Sequence, residues 1–218
     1  MTQIKICCIS SVIEAELAVG CGASAIGLVS AMPSGPGVIT EEEIAEIAQA
    51  IRLPIASFLL TSSQRSEEIV AQQKRCFVNT IQLCDAVNET TIQDLRRNLP
   101  GISLVQVIHV QGKESVEEAR QAADLVDAIL LDSGNQSLQI KELGGTGRVH
   151  DWDVSAQIVD QVNRPVFLAG GLNAENVAES IKQVQPFGVD ICSGVRTKGA
   201  LDPEKLRKFI DQVHSASA

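Results

Sequence analysis

Val166-Phe167-Leu168-Ala169-Gly170-Gly171-Leu172-Asn173 is an apolar run that ends in two glycines and hands over to a polar residue. The run reads as a strand over Val166–Gly170, and Asn173–Val184 reads as an amphipathic helix opened by an asparagine cap. Val189-Asp190-Ile191-Cys192-Ser193-Gly194-Val195 has the same form, an apolar run ending in a glycine turn, with a further helix over Asp202–Val213. Glycine permits a sharp turn and close approach of the backbone to a ligand. A helix start presents free N–H groups and the positive end of a dipole. Two such turns predict a cradle for a phosphate dianion.

The same alternation extends through the chain. Strands are expected at Ile4–Ile9, Ala25–Val29, Pro54–Leu60, Thr80–Cys84, Ser103–His109 and Ala128–Asp132. Helices are expected at Val12–Cys21, Thr40–Ile51, Gln64–Arg75, Thr91–Leu99, Ser115–Val126 and Asp153–Val162. Thr40 followed by Glu43 is a capping-box pattern, and Ile44, Ile47, Ala48 and Ile51 share one helical face. The strands are continuously apolar, as parallel strands covered on both sides are. Eight strand–helix units over residues 1–218 predict one α/β domain, a closed (β/α)8 barrel, with an open doubly wound sheet as the rival. Ser133–Trp152 is the one long connection, and it carries Gly144-Gly145-Thr146-Gly147, a specific-looking stretch for a functional lid.

The 218 residues carry a formal net charge of −9, which argues against a nucleic-acid partner. No apolar run reaches the roughly 18 residues of a membrane span. The opening residues show no signal peptide, so a cytoplasmic protein is expected. Cys7, Cys8, Cys21, Cys76, Cys84 and Cys192 lie in apolar segments without Cys-x-x-Cys spacing. They are expected to be reduced, with no zinc site and no disulfide framework, and no ligand cluster calls for a metal.

In such a barrel the working residues sit at the C-terminal ends of the strands. That rule selects Cys7 and Cys8, Gln82 and Cys84, His109 and Asp132. Lys5 shares a strand face with Cys7 and is expected to favour its thiolate, giving a base or nucleophile; the alternative is a buried cysteine. Leu130-Leu131-Asp132 puts a carboxyl at the end of an apolar strand, where burial would keep it protonated as an acid; the alternative is a loop-capping carboxylate. His109 is a rim candidate, whereas His150 and His214 read as surface or loop residues, and Asp151-Trp152 as a helix cap.

The ordered set of motifs resembles the phosphoribosylanthranilate isomerase family, ribulose-phosphate-binding TIM barrels of tryptophan biosynthesis. The matching segments are Lys5-Ile6-Cys7, Gly22-Ala23-Ser24-Ala25-Ile26-Gly27, Ile81-Gln82-Leu83, Leu130-Leu131-Asp132, Gly144-Gly145-Thr146-Gly147 and Asp151-Trp152, and, for the phosphate site, Ala169-Gly170-Gly171-Leu172-Asn173 with Asn176-Val177, Val189-Asp190 and Ser193-Gly194-Val195. The resemblance implies a cofactor-free Amadori rearrangement of a small phosphorylated sugar, with Cys7 as base and Asp132 as acid. It implies a 5′-phosphate held around Gly145, Gly170, Gly171, Ser193 and Gly194, and a pocket completed by Lys5, Gln82, Cys84, His109 and Arg196.

The chain departs from the family pattern at several positions. Cys8 stands where the family has glycine, and Gly37 where it has an arginine expected to meet the anthranilate carboxylate. Cys84 replaces a histidine, and Cys192 and Arg196 replace two residues after the last strand. Three readings follow. One is a phosphoribosylanthranilate isomerase with Arg196 or another cation in place of the missing arginine. The second is a paralogous enzyme acting on another phosphorylated sugar or aminosugar. The third is a non-catalytic barrel that binds a phosphorylated metabolite.

Overall fold

The structure is a computed structural model that describes residues 1–51, 54–135, 137–145 and 147–216. Thr146 of the quoted glycine motif and Gln136 of the long connection lie outside the described residues. Eight parallel strands close into a barrel in chain order: β1 (Gln3–Ile6), β2 (Ala25–Val29), β3 (Ala56–Thr61), β4 (Thr80–Leu83), β5 (Ser103–His109), β6 (Ala128–Asp132), β7 (Val166–Leu168) and β8 (Gly188–Ile191). The ring shuts where Lys5 lies opposite Asp190 and Ile6 opposite Ile191, which removes the open doubly wound sheet from consideration. Around it stand α1 (Val12–Cys21), α2 (Glu41–Ala50), α3 (Ser66–Cys76), α4 (Glu89–Asn98), α5 (Glu114–Ala123), α6 (Trp152–Gln161), α7 (Val177–Val184) and α8 (Pro203–Ala216). A short hairpin, β9 (Arg196–Thr197) and β10 (Ala200–Leu201), precedes α8.

Strand side chains alternate between two cores, as a period of two requires. Ile4, Ile6, Ile26, Leu28 and Leu59 pack outward against the helices. Cys7, Val29, Phe58, Leu60, Leu130 and Phe167 belong to a separate interior cluster. Lys5 and Asp190 are buried in the same ring. A barrel interior filled by side chains is a packed core, so a cleft can exist only above it, among the loops.

Local caps fix several helix starts. Thr40 and Glu43 form the reciprocal capping box ahead of α2. The Asp151 carboxylate accepts from the amides of Asp153 and Val154 at the start of α6. The helix expected from Asn173 begins only at Val177. Asn173 Oδ1 accepts from the amides of Glu175 and Asn176, an Asx turn that competes with helix. No described helix is long and apolar enough to cross a membrane.

Candidate active site

A cleft of about 700 Å³, including its open mouth, lies over the C-terminal ends of the strands. Both Cys7 and Asp132 line it, as do Gln82, Cys84, Gly145, Gly170, Gly171 and Ser193. Gly194 does not: a Cβ there would stand 2.4 Å from the Leu172 carbonyl oxygen, so this glycine lets two loops touch.

The lid is built onto this rim by specific bonds. Asn135 and Glu142 exchange both backbone hydrogen bonds, at 2.8 and 3.0 Å, an antiparallel bridge that brings these two points of the connection together. Lys141 Nζ pairs with Asp85 Oδ2 beyond β4 at 2.5 Å, and Ser34 Oγ donates to the Lys141 carbonyl at 2.7 Å. These contacts carry Leu143, Gly144, Gly145 and Gly147 over the cleft. A Cβ on Gly144 would lie 2.6 Å from Asp132 Oδ2, and one on Gly170 3.3 Å from Asp132 Oδ1. Both glycines have positive φ, +133° and +80°. The lid and the turn after β7 thus close on the carboxyl from two sides at positions where any side chain would be excluded.

Burial raises the Asp132 pKa above the usual carboxylate range, against the Ser133 amide and His109, and Asp190 reinforces the rise. Cys7 behaves differently from the sequence-based expectation. Burial pushes its thiol up to about 11, a larger effect than the attraction of Lys5. The Lys5 ammonium is fully buried and bonds Asp190 Oδ1 at 2.9 Å, so its charge is largely answered before it reaches Cys7. Lys5 lies beneath the cleft rather than on its wall.

Two candidates stand away from the cleft. His109 Nε2 donates to the Cys84 carbonyl at 3.0 Å, and its Nδ1 is buried where a Cβ on Gly134 would come within 2.3 Å. The lid base seals this ring off. Arg196 forms a two-pronged pair with Glu14 at 3.0 Å and also donates to the carbonyls of Gly199 and Cys8. It ties α1 to the β9–β10 hairpin and is not the stand-in for the absent arginine. Among the described residues lining the cleft there is no lysine, arginine or histidine.

Gly37 explains why an arginine is missing from its loop. Its φ is +80°, and a Cβ there would lie 2.5 Å from the Cβ of Cys8. Cys8 therefore occupies the space a side chain at 37 would need. Gly37→Arg alone is expected to lower stability by about 1–3 kcal/mol through overpacking, visible as a lower melting temperature.

Cys8 itself is joined to Cys192 by a disulfide, with Cα atoms 5.8 Å apart. This corrects the expectation that the cysteines are reduced. The two lie 184 residues apart in sequence, so spacing could not reveal them; barrel closure brings the ends of β1 and β8 together. His150 lies in the loop ahead of α6, one of its two readings, but not on the open surface. It is partly buried, its Nε2 meets Ser155 Oγ at 2.8 Å, and burial lowers its pKa to about 4.

A sequence profile described as N-(5′-phosphoribosyl)anthranilate (PRA) isomerase matches residues 4–212. The chain belongs to the PRA isomerase family. It is 36% identical to N-(5′-phosphoribosyl)anthranilate isomerase 2 of Methanosarcina mazei, over 98% of this chain and 93% of that one. It is 34% identical to the isomerase of Methanocella arvoryzae, over 98% of each. Among solved structures, phosphoribosyl anthranilate isomerase from Thermotoga maritima superposes with a TM-score of 0.85 at 26% identity, covering 99% of this chain and 100% of that one. Another PRA isomerase, solved with reduced 1-(o-carboxyphenylamino)-1-deoxyribulose 5-phosphate, gives 0.82 at 25% identity, covering 99% and 100%. Within this PRA isomerase family fold, Glu14 is the side chain that sequence reasoning missed, and Asp190, matched there to the phosphate site, is instead paired with Lys5. Asp190 was legible as a carboxyl on an apolar strand, the signal that selected Asp132.

Proposed function

We propose that this chain catalyses the Amadori rearrangement of N-(5′-phosphoribosyl)anthranilate, with Asp132 as acid and Cys7 as base. Asp132 gives its proton to the ribose ring oxygen and the ring opens to a Schiff base. Cys7 then removes the proton at C2′, leaving an enolamine that tautomerises to the ketone. Every step moves a proton within one molecule, so the overall change is an isomerisation that needs no cofactor. The observation that carries the reading is the shared cleft: a carboxyl held towards its neutral form and a thiol face the same space.

The 5′-phosphate is assigned to the turn at Gly170 and Gly171 and to Ser193. Among the described residues nothing accepts from the amides of Gly170 and Gly171, and both have positive φ. Asn176 Nδ2 holds the Gly171 carbonyl at 3.0 Å, which fixes the peptide plane of the turn. A preset array of amides suits a dianion in an otherwise acidic protein.

The substrate's aromatic carboxylate finds no described cation on the cleft wall. That favours a second reading, a phosphorylated aminosugar without a carboxylate. One assay separates them. Purified protein is offered phosphoribosylanthranilate, whose fluorescence disappears on conversion. Enzyme-dependent loss of signal is expected, with a high KM reflecting the unpaired carboxylate. A rate equal to the protein-free control overturns the main reading.

A further inference from the structure

Asp190 is a cleft residue with no part in the steps above. It sits on β8 directly across from Lys5 on β1. Its Oδ1 accepts from Lys5 Nζ at 2.9 Å, and no described donor reaches its second oxygen. The Lys5 ammonium has no other hydrogen-bond partner among the described residues; the Phe58 ring lies 5.1 Å away. The backbone of Gly27 on β2 locates Cys7 relative to this pair. A Cβ there would stand 2.8 Å from Cys7 Sγ and 3.0 Å from Lys5 Nζ. Thiol and ammonium therefore border one small space that only glycine leaves open.

We propose that Asp190 is a positioning residue for the base, setting the ionisation of Cys7 by neutralising Lys5 beside it. This rests on the reading of Cys7 as the base. The groups that face Cys7 electrostatically are Lys5 on β1, Cys84 after β4, Asp132 on β6 and Asp190 on β8. Lys5 is the only cation of the set. With Asp190 ionised and bonded to it, the pair presents little net charge and Cys7 keeps its proton. A donor from the substrate's polyol chain at the second Asp190 oxygen weakens the hold on Lys5, and its charge then favours the thiolate. The base is thereby protected in the empty cleft and strengthened when a sugar is bound.

The test reads Cys7 directly, without substrate. Wild type, Asp190→Asn and Lys5→Met are exposed to iodoacetamide between pH 7 and 10, and carbamidomethyl-Cys7 is followed by peptide mass spectrometry. Cys21, partly exposed on α1, serves as the internal reference for the reagent. Since one pKa unit is about tenfold in thiolate, Asp190→Asn is expected to react about three- to tenfold faster at pH 8. Lys5→Met is expected to react slower by a similar factor. A Cys7 profile unchanged in both variants, or a slower one in Asp190→Asn, overturns the proposal.

Removing one partner of a buried pair can unfold a protein, so the double variant Lys5→Met/Asp190→Asn, with no buried charge, is included. Because the bonded pair presents little net charge, the double variant is expected to react close to the wild-type rate, between the two single variants. A double variant as fast as Asp190→Asn or as slow as Lys5→Met also overturns the proposal. Since no turnover is measured, a negative result with phosphoribosylanthranilate leaves this outcome intact, and the reverse holds too.

Discussion

Asp132→Asn is expected to lower turnover of phosphoribosylanthranilate by about 10²–10⁴, and Cys7→Ser by a comparable factor, the range for loss of a positioned acid or base. Asparagine keeps the shape of the carboxyl and the amide contact of Ser133 but cannot release a proton to the ring oxygen. Serine keeps most of the volume at Cys7, but its hydroxyl gives far too little alkoxide to take a carbon-bound proton. The pH profile distinguishes the two losses. As the proposed acid Asp132 would act in its protonated form, so its contribution is full below its raised pKa and falls as pH rises through it. As the proposed base Cys7 would act as thiolate, so its contribution grows with pH until about 11. The productive state carries one proton, on Asp132 rather than on Cys7, and it is a minor form of the singly protonated pair. Wild-type kcat/KM should therefore be bell-shaped, with its alkaline limb near 11. In Asp132→Asn the acid requirement is gone, and residual activity should climb about tenfold per pH unit towards that value. A flat profile in Asp132→Asn, or wild-type rates in either variant, would remove these roles.

How far the sequence reaches is clear from particular residues. The eight strands were legible because each is a short, largely apolar run between amphipathic stretches, interrupted only by single polar residues such as Lys5, Gln82, Gln106 and Asp190, and Thr40-x-x-Glu43 marked a helix start to the residue. Glycine turns after β7 and β8 pointed to the rim that carries the cleft, the end at which sites in such barrels lie. Other features depend on partners that only closure supplies. Lys5 was expected to act on Cys7, but its neighbour Asp190 lies 185 residues away and takes up its charge. Arg196 offered a plausible cation until Glu14, 182 residues distant, was found across from it. Gly37 looked like a simple loss of arginine. In the fold it is one half of an exchange in which Cys8, at φ +61°, fills the vacated space. Sequence patterns report local chemistry, whereas the electrostatics of a closed ring is set by its long-range pairs.

Reduction of Cys8–Cys192 is expected to cost about 3–5 kcal/mol of stability, which in a chain of this length is about 10 °C in melting temperature. The magnitude comes from the loop the bond closes. A 184-residue separation makes the unfolded chain lose much of its freedom when cross-linked, and the loss returns on reduction. The bond adds to a seam that is already hydrogen-bonded, where β1 pairs with β8 from Gln3–Gly188 to Ile6–Ile191 and the Cys7 amide donates to the Ile191 carbonyl at 2.8 Å. The barrel should therefore remain folded at room temperature and melt earlier. Thiol titration in denaturant without reductant checks the premise: four reactive thiols are expected of the six cysteines, since Cys7, Cys21, Cys76 and Cys84 are free. Thermal melts with and without a phosphine reductant then check the magnitude, with the Cys8→Ala/Cys192→Ala variant as the control that reductant should leave unchanged. Six thiols, or identical melts for oxidised and reduced protein, would show that the seam owes nothing to this bond. The cleft should register the loss as well, because Cys8 follows the proposed base and Cys192 precedes Ser193, the proposed phosphate contact, on the same cleft wall. Loosening the bond frees these two segments to move apart, so under that proposal KM should rise more than kcat falls.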